Sequence, residues 1–126
     1  MDKKNSITVA LIEDDQMLSE MYSIKFSKEG FRIVTAMNGA DGLALIEKEN
    51  PQIVLLDIIM PKMDGFQVLK ELREKGVKTP VIMLTNLGQE EDIQKGKQLG
   101  ATDYFVKSNF TPEAIVHKVR HVLGQS

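Results

Sequence analysis

The chain contains no cysteine. That excludes disulfides, thiol catalysis and thiolate metal sites, and it suits a reducing compartment. It also has little net charge, −2 at pH 7. General attraction to a phosphate backbone is therefore missing, and neither direct nucleic-acid contact nor membrane binding by bulk electrostatics is expected. No apolar run approaches the ~20 residues that span a bilayer. The opening MDKKNS is polar and lacks a signal-peptide core. Together these absences read as a cytoplasmic protein. Histidine is scarce: His117 and His121, four apart near the C-terminus, read as surface or half-buried residues whose basic character suits a helix end. No repeat or low-complexity tract is present.

What the sequence does have is enough apolar material for one core. Of 126 residues, 42% are hydrophobic and 27% charged, the balance of an ordinary globule. One domain over 1–126 is expected, with its core at about 7–123. The closing GQS reads as a frayed helix end or the beginning of a linker, and any output domain is expected to lie outside these residues.

Short apolar runs rich in valine and isoleucine occur at Ile7–Ile12, Phe31–Thr35, Ile53–Leu56, Val81–Leu84 and Tyr104–Val106. They are too short for helices and favour strands. Their near-continuous apolarity implies burial on both faces, as in a parallel sheet. Amphipathic segments lie between them, with Leu18, Tyr22 and Phe26, then Phe66, Leu69 and Leu72, then Ile115, Val119 and Val122 at helical spacing. Asn38 with Asp41, and Asp64 with Gln67, have capping-box spacing. Thr111-Pro112 reads as an N-cap and a proline in the first turn. Gly30, Gly76 and Gly100 fall where helices must stop. Five strand–helix units with right-handed crossovers predict an α/β fold: a doubly wound five-stranded parallel sheet with five helices on both faces. Order 2-1-3-4-5 is one common solution, and its ligand site lies beyond the carboxyl ends of the strands.

Those ends carry the chemistry. The first strand leads into Glu13, Asp14 and Asp15, the third into Asp57, the fourth into Thr85 and Asn86, and the fifth into Lys107 and Ser108. Asp57 sits in the otherwise apolar stretch IVLLDIIMP, where desolvating a lone carboxylate costs roughly several kcal/mol or forces it to keep a proton. Crowded carboxylates without histidine or cysteine call for a hard divalent cation, Mg²⁺ rather than zinc. A carboxylate, Mg²⁺, a lysine and a hydroxyl form a phosphoryl-transfer kit. Asp57 could attack phosphorus and become an acyl phosphate. Lys107 and the metal would neutralise the phosphoryl oxygens and keep Asp57 ionised, and Thr85 could hydrogen-bond the bound group. Taken singly, each residue has a plainer reading. A strand-end aspartate is usually a turn residue, an acidic run before a helix usually a cap, and a lysine after a strand usually solvated. All of them at successive strand ends outweigh those readings.

The motifs LIEDDQ at 11–16, VLLDIIMPKMDG at 54–65, VIMLTN at 81–86 and GATDYFVKS at 100–108 resemble the receiver domain of bacterial response regulators. The match runs from about Ile7 to Leu123. The resemblance implies that Asp57 is phosphorylated by a histidine kinase or phosphotransfer protein, or by small phosphodonors. It implies Mg²⁺ held by Asp14 most directly, Glu13 partly through water, Asp57, and the carbonyl of Ile59. Thr85 matches the switch hydroxyl, Lys107 the phosphate-pairing lysine and Tyr104 the aromatic that reports phosphorylation. The fourth helix, fifth strand and fifth helix would form the output surface, toward a downstream protein, a missing output domain or a second copy in a homodimer. The segment Gln89–Leu99 has few apolar anchors and an internal Gly96, as a moving part should. Such a protein is no enzyme toward outside substrates and acts only on its own aspartyl phosphate.

Two positions depart from the pattern, and two more lie where the family varies. Asn86 replaces the usual small residue, narrowing access or adding a hydrogen bond. Ser108 replaces a proline whose preceding bond is typically cis, and with serine a trans bond is expected because cis costs ~2.5–4 kcal/mol. Ile59 and Leu87, two beyond Asp57 and Thr85, offer nothing polar to orient water and predict slow self-dephosphorylation. The alternative reading is a phosphorylation-independent pseudo-receiver serving as a protein-interaction module. A Mg²⁺-dependent phosphohydrolase is disfavoured because Ile59 stands where such enzymes commonly carry a second acid. A flavodoxin-like carrier is weaker still, because no phosphate loop follows the first strand.

Overall fold

Each apolar run becomes a strand, and each amphipathic stretch a helix. The computed structural model describes residues 6–85, 90–107 and 111–125. In chain order the elements are β1 (Thr8–Ile12), α1 (Gln16–Lys28), β2 (Arg32–Ala36), α2 (Gly39–Glu49) and β3 (Ile53–Asp57). They continue with α3 (Gly65–Glu74), β4 (Val81–Thr85), α4 (Glu90–Gln98), β5 (Asp103–Val106) and α5 (Pro112–Val122). All strand pairs are parallel, and the order is β2-β1-β3-β4-β5.

The caps follow the sequence signals. Asn38 accepts from Asp41 N, Asp64 from Gln67 N and Thr111 from Ala114 N, with Pro112 in the first turn of α5. Gly30, Gly76 and Gly100 take φ of 93°, 81° and 104°, the left-handed turn that ends a helix without a Cβ penalty.

Strand alternation splits the core in two. Ala10, Ile12, Val54, Leu56 and Met83 face Leu43, Ile46, Phe66, Leu69 and Leu72 of α2 and α3. Val9, Leu11, Ile53, Leu55, Ile82 and Leu84 face Tyr22 and Phe26 of α1 and Ile115, Val116 and Val119 of α5. The three central strands are buried almost throughout, whereas β2, at the sheet edge, keeps Arg32 and Thr35 exposed. Double-sided burial therefore holds for the centre of the sheet and lapses at that edge, where only one neighbour covers the strand. In α4 the single buried residue is Gly96. A Cβ there would sit 3.3 Å from Met83 Cγ, so the glycine that weakens the helix also lets it lie close on β4.

Candidate functional site

The strand order brings β1 and β3 side by side, and the residues that leave their carboxyl ends meet. Glu13 continues the ladder, its N–H donating to Ala36 O at 3.0 Å. Its side chain is fully buried. Oε2 accepts from Asp15 N at 3.0 Å, while Oε1 faces Lys107 Nζ at 2.9 Å and makes no aligned hydrogen bond among the described residues. Asp57 is the last residue of β3 and only 6% exposed. Its Oδ2 lies 3.1 Å from the same ammonium. Asp14 is exposed beside them, and Glu13, Asp14 and Asp57 each offer an oxygen within 4.8 Å of the others. Asp15, the remaining acid of the run, turns away to cap α1 by accepting from Leu18 N at 3.1 Å.

The electrostatics are unbalanced. Burial, reinforced by the charge of Glu13, pushes the Asp57 carboxyl up to about 7, and Lys107 opposes this without cancelling it. Burial also works against the Lys107 ammonium, but its pairing with Glu13 and Asp57 prevails and holds its pKa above the ordinary lysine value. The expectation that lysine and metal together keep Asp57 ionised is thereby sharpened, since the lysine alone falls short. A further positive charge is what the arrangement lacks. The candidate donors are all carboxylate oxygens, and the buried Glu13 Oε1 has no aligned hydrogen-bond partner among the described residues. This set fits a hard divalent cation and not a zinc site.

The loop after Asp57 is shaped by a contact that sequence reasoning missed. Gly65 opens α3 immediately after its cap, and its N–H donates to Ile58 O at 2.8 Å. A Cβ on Gly65 would stand 2.3 Å from Asp57 O, so only glycine lets α3 begin directly behind the aspartate. The available signal was a glycine in a first helical turn, where alanine is the better helix former. Ile59, two residues past Asp57, is 66% exposed, so its side chain stands in solvent at the mouth of the site.

On the neighbouring strands, Thr85 is 1% exposed and its Oγ1 has no hydrogen-bond partner among the described residues. Tyr104 pairs in register with Met83 and packs in the same cluster. By the two-residue alternation of a strand, Thr85 and Met83 share a face, so Thr85 and Tyr104 share it too. Lys97 and Lys118 flank the Tyr104 ring at 5.6 and 5.9 Å. Asn86, Leu87 and Ser108, with the peptide bond preceding Ser108, lie outside the described residues.

Residues 9–120 match the family model of the response regulator receiver domain. The chain belongs to that family. This receiver domain is 38% identical over 126 residues to the probable transcriptional regulator ycf27 of Guillardia theta, covering all of this chain and 49% of that protein. It is 32% identical over 126 residues to the alkaline phosphatase synthesis transcriptional regulatory protein PhoP of Bacillus subtilis (strain 168), again covering all of this chain and 50% of the relative. It thus spans about half the length of the curated relatives it matches. Among solved structures, chemotaxis protein CheY4 of Vibrio cholerae superposes with a TM-score of 0.87 at 32% identity, over 93% of this chain and 98% of that one. A putative response regulator from Chloroflexus aurantiacus J-10-fl gives a TM-score of 0.88 at 28% identity, over 96% and 100%.

One sequence reading needs narrowing. A relative in Synechocystis sp., 38% identical over 120 residues and covered over 49% of its length, is named a DNA-binding dual master transcriptional regulator, RpaA. The expectation of no direct nucleic-acid contact rests on this chain's net charge of −2 alone, and it does not extend to the longer proteins the chain resembles. As for membranes, no helix among the described residues is long and apolar enough to cross one.

Proposed function

We propose that this receiver domain accepts a phosphoryl group on Asp57 from a histidine kinase or phosphotransfer protein, and that the modification alters the surface formed by α4, β5 and α5. The observation that carries this reading is Lys107 Nζ, 2.9 Å from Glu13 and 3.1 Å from Asp57. That ammonium spans two buried carboxylates at the rim where Asp14 also stands.

Glu13, Asp14 and Asp57, with the Ile59 carbonyl, are the residues that would hold Mg²⁺. When bound, the ion supplies positive charge for the crowded carboxylates and the incoming phosphoryl oxygens. Asp57 carboxylate then attacks phosphorus: an O–P bond forms, the donor's bond to phosphorus breaks, and the bonding pair leaves with the donor group. Lys107 offsets charge on the phosphoryl oxygens, a role its raised pKa suits because the ammonium stays protonated. Thr85 has a buried hydroxyl ready to donate. Its movement toward the phosphoryl group would free space on the face it shares with Tyr104, under the closely seated Gly96 of α4. The exposed Ile59 and Leu87 offer no polar group to direct a water, so the acyl phosphate decays slowly. The domain turns over no outside substrate.

The relatives' names support a role in transcriptional regulation for a longer protein carrying this domain. Its own partners are then the phosphodonor protein and an output domain, a downstream protein or a second copy meeting the α4–β5–α5 face. Incubation with acetyl phosphate and Mg²⁺, followed by intact-mass measurement, should add one phosphoryl group to the wild type and none to Asp57→Ala. An unmodified wild type would overturn the reading in favour of a module that signals without phosphate.

A further inference from the structure

The loop joining Asp57 to α3 contains a backbone form that needs support. Met63 N donates to Pro61 O at 2.8 Å, closing a three-residue turn around Lys62, whose φ is +71°. Such a turn is rare and strained for a residue with a side chain. It persists only if its surroundings hold it. One end of the loop is clamped where Gly65 meets Asp57.

The other clamp is on a different helix. Gly39 is the first residue of α2, behind the Asn38 cap. It is not among the residues with positive φ, so backbone conformation does not demand glycine, and glycine weakens a helix relative to alanine. Space demands it. A Cβ on Gly39 would lie 1.9 Å from Met63 O and 2.7 Å from Met63 C. These are backbone atoms, which cannot step aside as a side-chain tip can. One turn on, Gly42 faces the Ile12 side chain instead, so contact with the loop is particular to Gly39.

We propose that Gly39 is a positioning residue for the aspartate site: its bare Cα seats the Met63 carbonyl, and the first turn of α2 thereby holds the Asp57–Gly65 loop, with the Ile59 carbonyl in it, in the shape that takes the cation. This inference rests on the phosphoryl-acceptor reading and extends it to a residue that reaches the site only through Met63. A Cβ at position 39 pushes Met63 outward, releases the turn and displaces Ile59 four residues upstream.

The test compares wild type, Gly39→Ala and Ile46→Ala. Ile46 is a buried residue on the same helix, so its truncation controls for general loss of stability. Two readouts are needed: amide ¹H–¹⁵N shifts of residues 57–65 in metal-free protein, and Mg²⁺ affinity by calorimetry. Gly39→Ala should move the loop amides and weaken Mg²⁺ binding about tenfold. Ile46→Ala should lower the melting temperature and leave Mg²⁺ affinity within about twofold. Unmoved loop amides with wild-type affinity in Gly39→Ala would overturn the proposal, as would an equal loss in Ile46→Ala. Should Gly39→Ala not fold, Asn38→Ala loosens the same turn without adding bulk. It should then reproduce the loop shifts and weakened binding in smaller measure, and wild-type values there would also overturn the proposal. A wild type that binds no Mg²⁺ would count against the phosphoryl-acceptor reading, while the metal-free amide shifts would still decide the role of Gly39.

Discussion

Replacing Asp57 with asparagine should make the metal-free domain more stable, and by an amount that depends on pH. In the fold, burial and the neighbouring Glu13 delay ionisation of Asp57 from its ordinary 3.8 to about 7. Between those values the folded chain keeps a proton that the unfolded chain has released. Stability must then fall as pH rises through this window, at ~1.4 kcal/mol per pH unit, and level off above pH 7. The difference between 3.8 and about 7 corresponds to ~4 kcal/mol at the plateau. Lys107 does not tilt this slope, because its pKa is raised above the ordinary lysine value and it stays protonated in both states across the window. Asparagine mimics the neutral acid, so Asp57→Asn should match wild type near pH 4 and gain steadily on it, leading by ~2–4 kcal/mol at pH 8. Urea unfolding followed by circular dichroism, in EDTA from pH 4 to 8.5, measures the gap directly. A gap that stays flat with pH, or a wild type more stable than the variant at pH 8, would show that Lys107 alone keeps Asp57 ionised and that carboxylate crowding costs nothing.

Lys107→Met should destabilise the domain by ~3–5 kcal/mol at pH 8, because it strands buried Glu13 and Asp57 without a counter-charge; adding Asp57→Asn should restore much of the loss in the same urea assay. Mg²⁺ at a hundred times its Kd should raise wild-type stability by ~2.7 kcal/mol, and Asp14→Ala should abolish that gain in a thermal melt. Ile59→Asn, at the exposed mouth of the site, should accelerate decay of the acyl phosphate severalfold by giving a water a polar anchor. Intact-mass time courses after donor removal would detect it, and decay no slower in wild type than in the variant would refute the idea.

Much of the fold was legible because its rules are local. Buried parallel strands must be apolar, so β1, β3 and β4 appear as unbroken runs, and helix ends must satisfy orphan backbone groups, so Asn38, Asp64 and Thr111 mark them. The clustering at the candidate site was legible for a topological reason: in a parallel sheet the carboxyl ends of the strands share one edge, which brings Glu13, Asp14, Asp57 and Lys107 together and puts Thr85 at the end of the neighbouring strand. Residue type was a poorer guide where burial depends on neighbours. Met21, beside the apolar stripe of α1, is exposed, because the helix turns Tyr22 and Phe26 to the core instead.

By itself, then, the sequence determined the alternation of strands and helices, the identity of the charged side chains and the edge at which they meet, since these follow from periodicity and chain direction. Only the tertiary structure decided how deeply Glu13 and Asp57 are buried, that one ammonium is shared between them, and that Gly39 and Gly65 clamp the loop beside them. Those are matters of distance between segments far apart in the chain. Desolvation, charge coupling and close backbone contact change sharply over an ångström or two, a scale that no pattern along the chain records.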